Sequence, residues 1–308
     1  MATLSAAILC ALLALLLWVP PGFMIARRLP LRRDLRRAAA PVLGWAVQSI
    51  VALYVTMAFG FTAVNIVAAT ALVVLVAGLL PPPALHGSNG RALPLWILAV
   101  AALVAAGPAA GILPKAYTAG IALADPLYDH AKIALVDEIV RTGVPPANPF
   151  LGTGDGPAGI AYYYYWLFGA AQLALLSGAS GWEADAAATW FTGLSSLAVV
   201  AGLAFRLSEA RAAAALFVLA AACGGSLRPV MTALFGQQGV DAALERGSGL
   251  AGLLFQTTWS PHHVAAAAAV LLSLVLMERL ARSPSVTAAV VLALLVAAAF
   301  GSSLWVGG

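Results

Sequence analysis

Apolar runs long enough to cross a bilayer recur along almost the whole chain, at 3–25, 39–59, 61–80, 94–113, 160–178, 187–206, 212–234, 263–278 and 285–306. A helix rises ~1.5 Å per residue through ~30 Å of hydrocarbon, so about 20 mostly apolar residues make one span. Pro, Gly or charge bounds each run, as expected at helix ends. The pattern predicts an all-α fold, a polytopic transmembrane bundle of about nine spans. Charged residues are 9% and hydrophobic residues 62% of the chain, against roughly 25% charged in an ordinary soluble domain. A water-soluble fold cannot hide that much apolar surface.

The formal charge of +4 does not point to nucleic acid, because six of the sixteen basic residues, Arg27, Arg28, Arg32, Arg33, Arg36 and Arg37, lie together between two apolar runs. That is the distribution of the positive-inside rule, not of a phosphate-binding patch. No basic residue precedes the first run and Arg27 follows it, so the segment reads as a retained helix with its N-terminus outside, not a cleaved signal. The expected location is a bacterial inner membrane, crossed many times. Cys10 and Cys223 both sit in apolar runs, which excludes a disulfide framework and favours packing.

With the arginine loop cytoplasmic, the long polar segment 114–159 falls outside. Downstream the parity conflicts: Arg206 and Arg211 favour the cytoplasm, whereas one helix per apolar run puts them outside. Either 160–178 does not fully span, or 212–234 breaks at Gly224-Gly225 and Arg228-Pro229. Both repairs leave 235–262 outside and Arg279 and Arg282 inside. The chain stops directly out of an apolar run at 303–308, which reads as the N-terminal portion of a longer protein. Three of the apolar runs fall within residues 1–93 and the other six within 94–308.

The external segment carries the chemistry. Asp125, Asp129, Asp137, Glu138 and Asp155, five of the twelve acidic residues, fall within it. Asp125 before Pro126 predicts a helix start, and Gly143 before Val144-Pro145-Pro146 predicts its stop. Leu127, Ala131, Leu135 and Ile139 give this helix an apolar side, so it is expected to lie at the membrane surface, with Asp137 and Arg141 pairing on its wet face. Asp125 serves either as a cap alone or, with Asp129, as a carboxylate that takes a proton from an acceptor hydroxyl or holds a divalent cation against a diphosphate. His130 and Lys132 are candidates for phosphate contact, with plain solvation as the alternative.

Tyr162, Tyr163, Tyr164, Tyr165 and Trp166 open the next run. Most of them suit an interfacial aromatic belt, but four consecutive tyrosines circle a helix, so at least one is expected to face inward, where a ring can stack on a sugar. A second constellation, TTWSPHH at 257–263, starts a helix with Ser260 as cap and Pro261 at its first position. It brings Trp259, His262 and His263 to the outer face as candidate substrate contacts, with interfacial packing as the alternative. Adjacent histidines do not share a helix face, which argues against a two-histidine metal site.

The succession of an apolar helix, Asp125, the pair Asp129-His130, IALVDEIVRTG, VPPANPFLGTG and YYYYW resembles the first external loop of GT-C-type membrane glycosyltransferases. It is most similar to bacterial and archaeal members with a D…H…G-x-x-PP-x-[DN]-P…YYY pattern, over about 110–180 of this chain. The resemblance implies a polyprenyl-phosphate sugar as donor, an acidic residue of this loop as catalytic base or metal-associated group, and Mg or Mn as a possible cofactor. Carried over, Asp125 is the first choice for that acid and Asp129 the second. The spacing to His130 departs from the family pattern, which keeps both open. Two rival readings are a transporter or flippase of lipid-linked saccharide, which should carry ionisable groups near mid-membrane, and a non-catalytic scaffold.

Overall fold

The computed structural model describes residues 4–81, 91–113, 115–117, 120–122, 126–153, 156–160, 162–223, 236 and 252–308; within these, the side chains of 115–117, 120–122, 126–130, 153 and 156–157 are not described. It is nearly all helical. Among the described residues, nine apolar helices each overlap one of the apolar runs: α1 Leu4–Arg28, α2 Arg33–Phe59, α3 Ala63–Leu79, α4 Leu95–Ile112, α6 Tyr165–Ser177, α7 Gly181–Leu207, α8 Arg211–Ala222, α10 Pro261–Arg282 and α11 Val286–Ser302. Five of them, α1, α2, α4, α7 and α10, are long and apolar enough to cross a membrane. The polar segment 114–159 contributes α5, Pro126–Thr142, while the short helices α9, Leu253–Trp259, and α12, Leu304–Gly307, flank α10 and α11.

The all-α expectation needs one addition. Two antiparallel hairpins flank α5: β1 Lys115–Tyr117 with β2 Gly120–Ala122, and β3 Ala147–Thr153 with β4 Gly156–Gly159. Within β3, where the register shifts between Ala147 and Gly152, the Asn148 side-chain oxygen accepts the Phe150 and Leu151 amides at 2.9 and 3.2 Å.

Helix α7 is the axis of the bundle. Of its apolar window 78% is buried, the largest share among the five long helices, and it packs against α1, α2, α4, α5, α6, α8, α9 and α10. The tightest crossing is α1 on α2. A Cβ at Gly22 would overlap the Ala40 carbonyl oxygen, and one at Gly44 the Trp18 carbonyl oxygen, so only hydrogen fits at either place. Small residues permit this approach in a bilayer, where backbone packing replaces the hydrophobic drive. Gly44→Val should therefore abolish recovery of monodisperse protein in detergent, whereas Gly78→Ala, whose Cβ would meet only the Met24 methyl at 3.8 Å, should be recovered normally. Equal recovery of the two variants would refute this packing account.

Beside that crossing, a neutral polar network ties four helices together. Trp18 donates to Gln48 at 2.9 Å, Gln48 donates to Gln172 at 2.9 Å and to Thr70 at 3.2 Å, and Gln172 donates to Ser49 at 3.3 Å. Gln48, Ser49 and Gln172 are fully buried. Each amide is satisfied by another helix, as a low-dielectric interior requires.

Arg206, at the end of α7, lies 3.7 Å from Glu278 near the end of α10, and Arg279 is within electrostatic range of Arg206, Arg282 and Arg32. Arg206 thus shares one end of the bundle with the arginine-rich α1–α2 connection. Helix α6 has 13 residues, about 20 Å of rise against ~30 Å of hydrocarbon, so it is too short to cross alone. That is the first of the two repairs to the parity conflict; Gly224-Gly225 and Arg228-Pro229, which the second repair concerns, lie outside the described residues.

Candidate functional site

Helix α5 has the bounds its punctuation predicts. Pro126 is its first residue, and Gly143 ends it at φ +83°, with its amide on the Ile139 carbonyl at 2.8 Å. Ile133, Leu135, Val136 and Ile139 are buried against α6 and α7.

The expected Asp137–Arg141 pair does not form. Arg141 instead grips Glu138 at 2.7 Å, while Asp137 accepts the Gly181 amide at 2.9 Å. The reason is tertiary: Gly181 begins α7, its amide lacks an intrahelical partner, and a carboxylate is favoured at that positive helix end. Burial pushes the Asp137 carboxyl above its ordinary range, the Gly181 amide pulls it back, and the Glu183 charge adds to the rise. Ser180 and Glu183 complete a capping box on the same helix start.

One turn into α7 stands Asp185, 1% exposed, with its Oδ2 3.4 Å from Lys132 Nζ of α5, itself 11% exposed. This pair docks α5 on α7 and brings Lys132 within electrostatic range of His262. Tyr162 stacks on Tyr163 at 4.2 Å; the Tyr163 ring lies 5.4 Å from His262 and 6.2 Å from His263. The two imidazoles, in the first turn of α10, are 4.2 Å apart although consecutive residues diverge around a helix. His263 Nδ1 shares a 2.7 Å hydrogen bond with Ser303 Oγ, the residue that joins α11 to α12. Lys132, Tyr162, Tyr163, His262 and His263, drawn from three separate segments, thus meet at the end of the bundle opposite the arginines.

The remaining candidates are placed less fully. Asp129 and His130 lie in the opening turns of α5, one turn from Lys132, with side chains outside the described residues, as is the whole of Asp125. Trp259 closes α9 with its ring 6.0 Å from Phe255. Ser260 occupies the cap position of α10 and Pro261 its first turn, but the Ser260 side chain makes no cap hydrogen bond. Of the tyrosines only Tyr165 turns inward, its hydroxyl donating to the Ala46 carbonyl at 2.6 Å. Tyr162, Tyr163 and Tyr164 precede the helix in a non-helical lead, so the four do not circle one helix as expected. Burial, then the hydrogen bond and charge of Tyr163, pushes the Tyr162 phenol up, which keeps it protonated.

Asp185 and Ser303 are the residues that sequence reasoning missed. An acid at the head of an apolar run is the signal for Asp185, since ionisable groups in spanning helices default to function. Ser303 carried no such signal. Among the described side chains no group of three His, Cys, Asp or Glu is arranged to hold a metal ion.

Beside Tyr163 runs a groove of about 530 Å³ lined by Ile50, Leu53, Tyr162, Tyr165, Phe300 and Leu304, among others. Most of its lining is apolar, and Tyr54 and Tyr164 are also part of it.

The chain is 33% identical over 299 residues, 93% of its length, to an uncharacterized protein of Sinorhizobium fredii, y4nK. It spans 44% of the length of that relative. No family model matches, and no solved structure matches.

Proposed function

We propose that this chain is the membrane module of a GT-C-like glycosyltransferase, an inner-membrane protein of about nine spans that takes a sugar from a polyprenyl-phosphate carrier on the non-cytoplasmic face. The observation that carries the proposal is the meeting of α5, the tyrosine lead and the start of α10 around Lys132, Tyr163, His262 and His263, one turn from Asp129-His130. In this reading α5 lies at the membrane surface, the groove beside Tyr163 receives the isoprenoid chain, and Lys132 with the histidines faces the phosphate.

The reaction balances simply. An acceptor hydroxyl gives its proton to Asp125 or Asp129, its oxygen bonds the anomeric carbon, and the bond from that carbon to phosphate oxygen breaks, releasing polyprenyl phosphate. Lys132, a donor held by Asp185, stabilises the charge that collects on the phosphate. For the divalent cation that the resemblance implies, the described side chains offer no adequate set by themselves.

The transporter reading has less support. The polar network at Trp18, Gln48 and Gln172 in the interior is neutral, whereas a saccharide or ion carrier calls for ionisable groups there.

The activity is tested with full-length protein in proteoliposomes carrying a polyprenyl-phosphate donor labelled in the sugar. Label should leave the lipid phase with the wild type and should do so about 100-fold more slowly with His262→Ala combined with Lys132→Met. Equal rates would reject the site. Orientation is tested separately: Gly154→Cys should react with a membrane-impermeant thiol reagent in intact cells and Arg33→Cys should not, and the reverse labelling would invert the topology.

A further inference from the structure

The opposite end of the bundle holds a second charged constellation, unrelated to the proposed chemistry. Arg32 from the α1–α2 connection, Arg206 from α7 and Arg282 from α10 lie within electrostatic range of Arg279, also of α10. The carboxylates among them are Asp34, 3.3 Å from Arg32, and Glu278, which Arg282 holds at 2.9 Å and Arg206 approaches at 3.7 Å. Four guanidiniums against two carboxylates leave a local surplus of positive charge. Arg279 shows the deficit directly: its Nε is buried and has no hydrogen-bond partner among the described residues. A buried guanidinium N–H left unpaired is costly, and Arg presents its donors in a fork that matches phosphate oxygens.

The surroundings state what kind of phosphate fits. Leu207, Leu274 and Met277, on the same helices and next to the arginines, are 79%, 56% and 53% exposed, an apolar surface running away from the charged end. A free phosphate would have no use for it; a diacyl chain would cover it. We propose that this cluster is a binding site for the phosphodiester headgroup of an anionic phospholipid, its acyl chains lying along α10 past Met277 and Leu274. Basic pockets between helices at the cytoplasmic surface recognise lipid headgroups in this manner. The site holds α7, α10 and the α1–α2 connection together by supplying the missing negative charge.

The test uses full-length protein, purified in mild detergent, stripped of lipid and titrated with cardiolipin, phosphatidylglycerol or phosphatidylcholine. Native mass spectrometry and the thermal midpoint are the readouts. Cardiolipin and phosphatidylglycerol should remain bound and raise the midpoint, whereas phosphatidylcholine should do neither. Arg279→Gln with Arg282→Gln should weaken retention of anionic lipid about ten-fold or more, the scale of a lost charge-assisted contact. Arg141→Gln, at the other end of the bundle, should retain it as the wild type does. Equal retention of anionic and zwitterionic lipid by the wild type would overturn the proposal, and this comparison stands even if the double variant does not fold. So would undiminished retention by a folded double variant, or the same midpoint rise from inorganic phosphate alone.

Discussion

Asp185→Leu alone should destabilise the protein by about 3–5 kcal/mol, and combining it with Lys132→Met should recover most of that loss. Both partners of this pair are nearly sealed, at 1% and 11% exposure, so removing the carboxylate takes a close counter-charge from a nearly buried ammonium. Replacing both by apolar side chains of similar volume removes both charges together, and such exchanges are often neutral or stabilising. The thermal midpoint of full-length protein in detergent should order as wild type close to the double variant, with Asp185→Leu well below. Activity should order differently: the double variant lacks the Lys132 donor and should stay slow despite its recovered fold. A double variant that regained both stability and turnover would reduce Lys132 to a docking residue for α5.

The contrast between the two ends of α5 shows what was legible in advance. Its bounds, Pro126 and Thr142, and its stop at Gly143 follow from local rules: Pro is tolerated where the amide is an orphan anyway, and Gly at φ +83° closes a helix at little steric cost. The apolar helices were legible for the same kind of reason, since hydrocarbon leaves its mark on composition, but only five of them, α1, α2, α4, α7 and α10, reach the length of a span. Pairing choices were not. Whether Arg141 takes Asp137 or Glu138 depends on the Gly181 amide, 44 positions away, claiming Asp137 first. The Lys132–Asp185 pair spans 53 positions, and the bond between His263 and Ser303 spans 40, so neither leaves a periodic trace. The apolar run opens at 160 but helix α6 begins at Tyr165, because hydropathy does not distinguish a tyrosine in a helix from one leading into it. The arginines behaved otherwise: parity counting conflicted, whereas Arg206 lies at the same end of the bundle as Arg279 and Arg282, a grouping that like charge distribution suggests without any helix count.

Asp125→Asn or Asp129→Asn should lower transfer from a polyprenyl-phosphate sugar on the order of 100-fold or more, with expression and membrane insertion near normal. Asn caps a helix about as well as Asp, so a residue that only starts α5 would tolerate the exchange. A general base would not, because the amide cannot accept the proton of the acceptor hydroxyl. Asp129 sits in the opening turns of α5, one turn before Lys132, which anchors that helix to α7, and Asp125 immediately precedes Pro126 in the sequence. The most direct measurement is the rate at which full-length wild type, Asp125→Asn and Asp129→Asn cleave the anomeric bond of a labelled polyprenyl-phosphate sugar in proteoliposomes. The account predicts turnover by the wild type and its collapse in at least one variant; wild-type rates in both, or movement of the intact lipid-linked sugar across the bilayer with no bond broken, would contradict it.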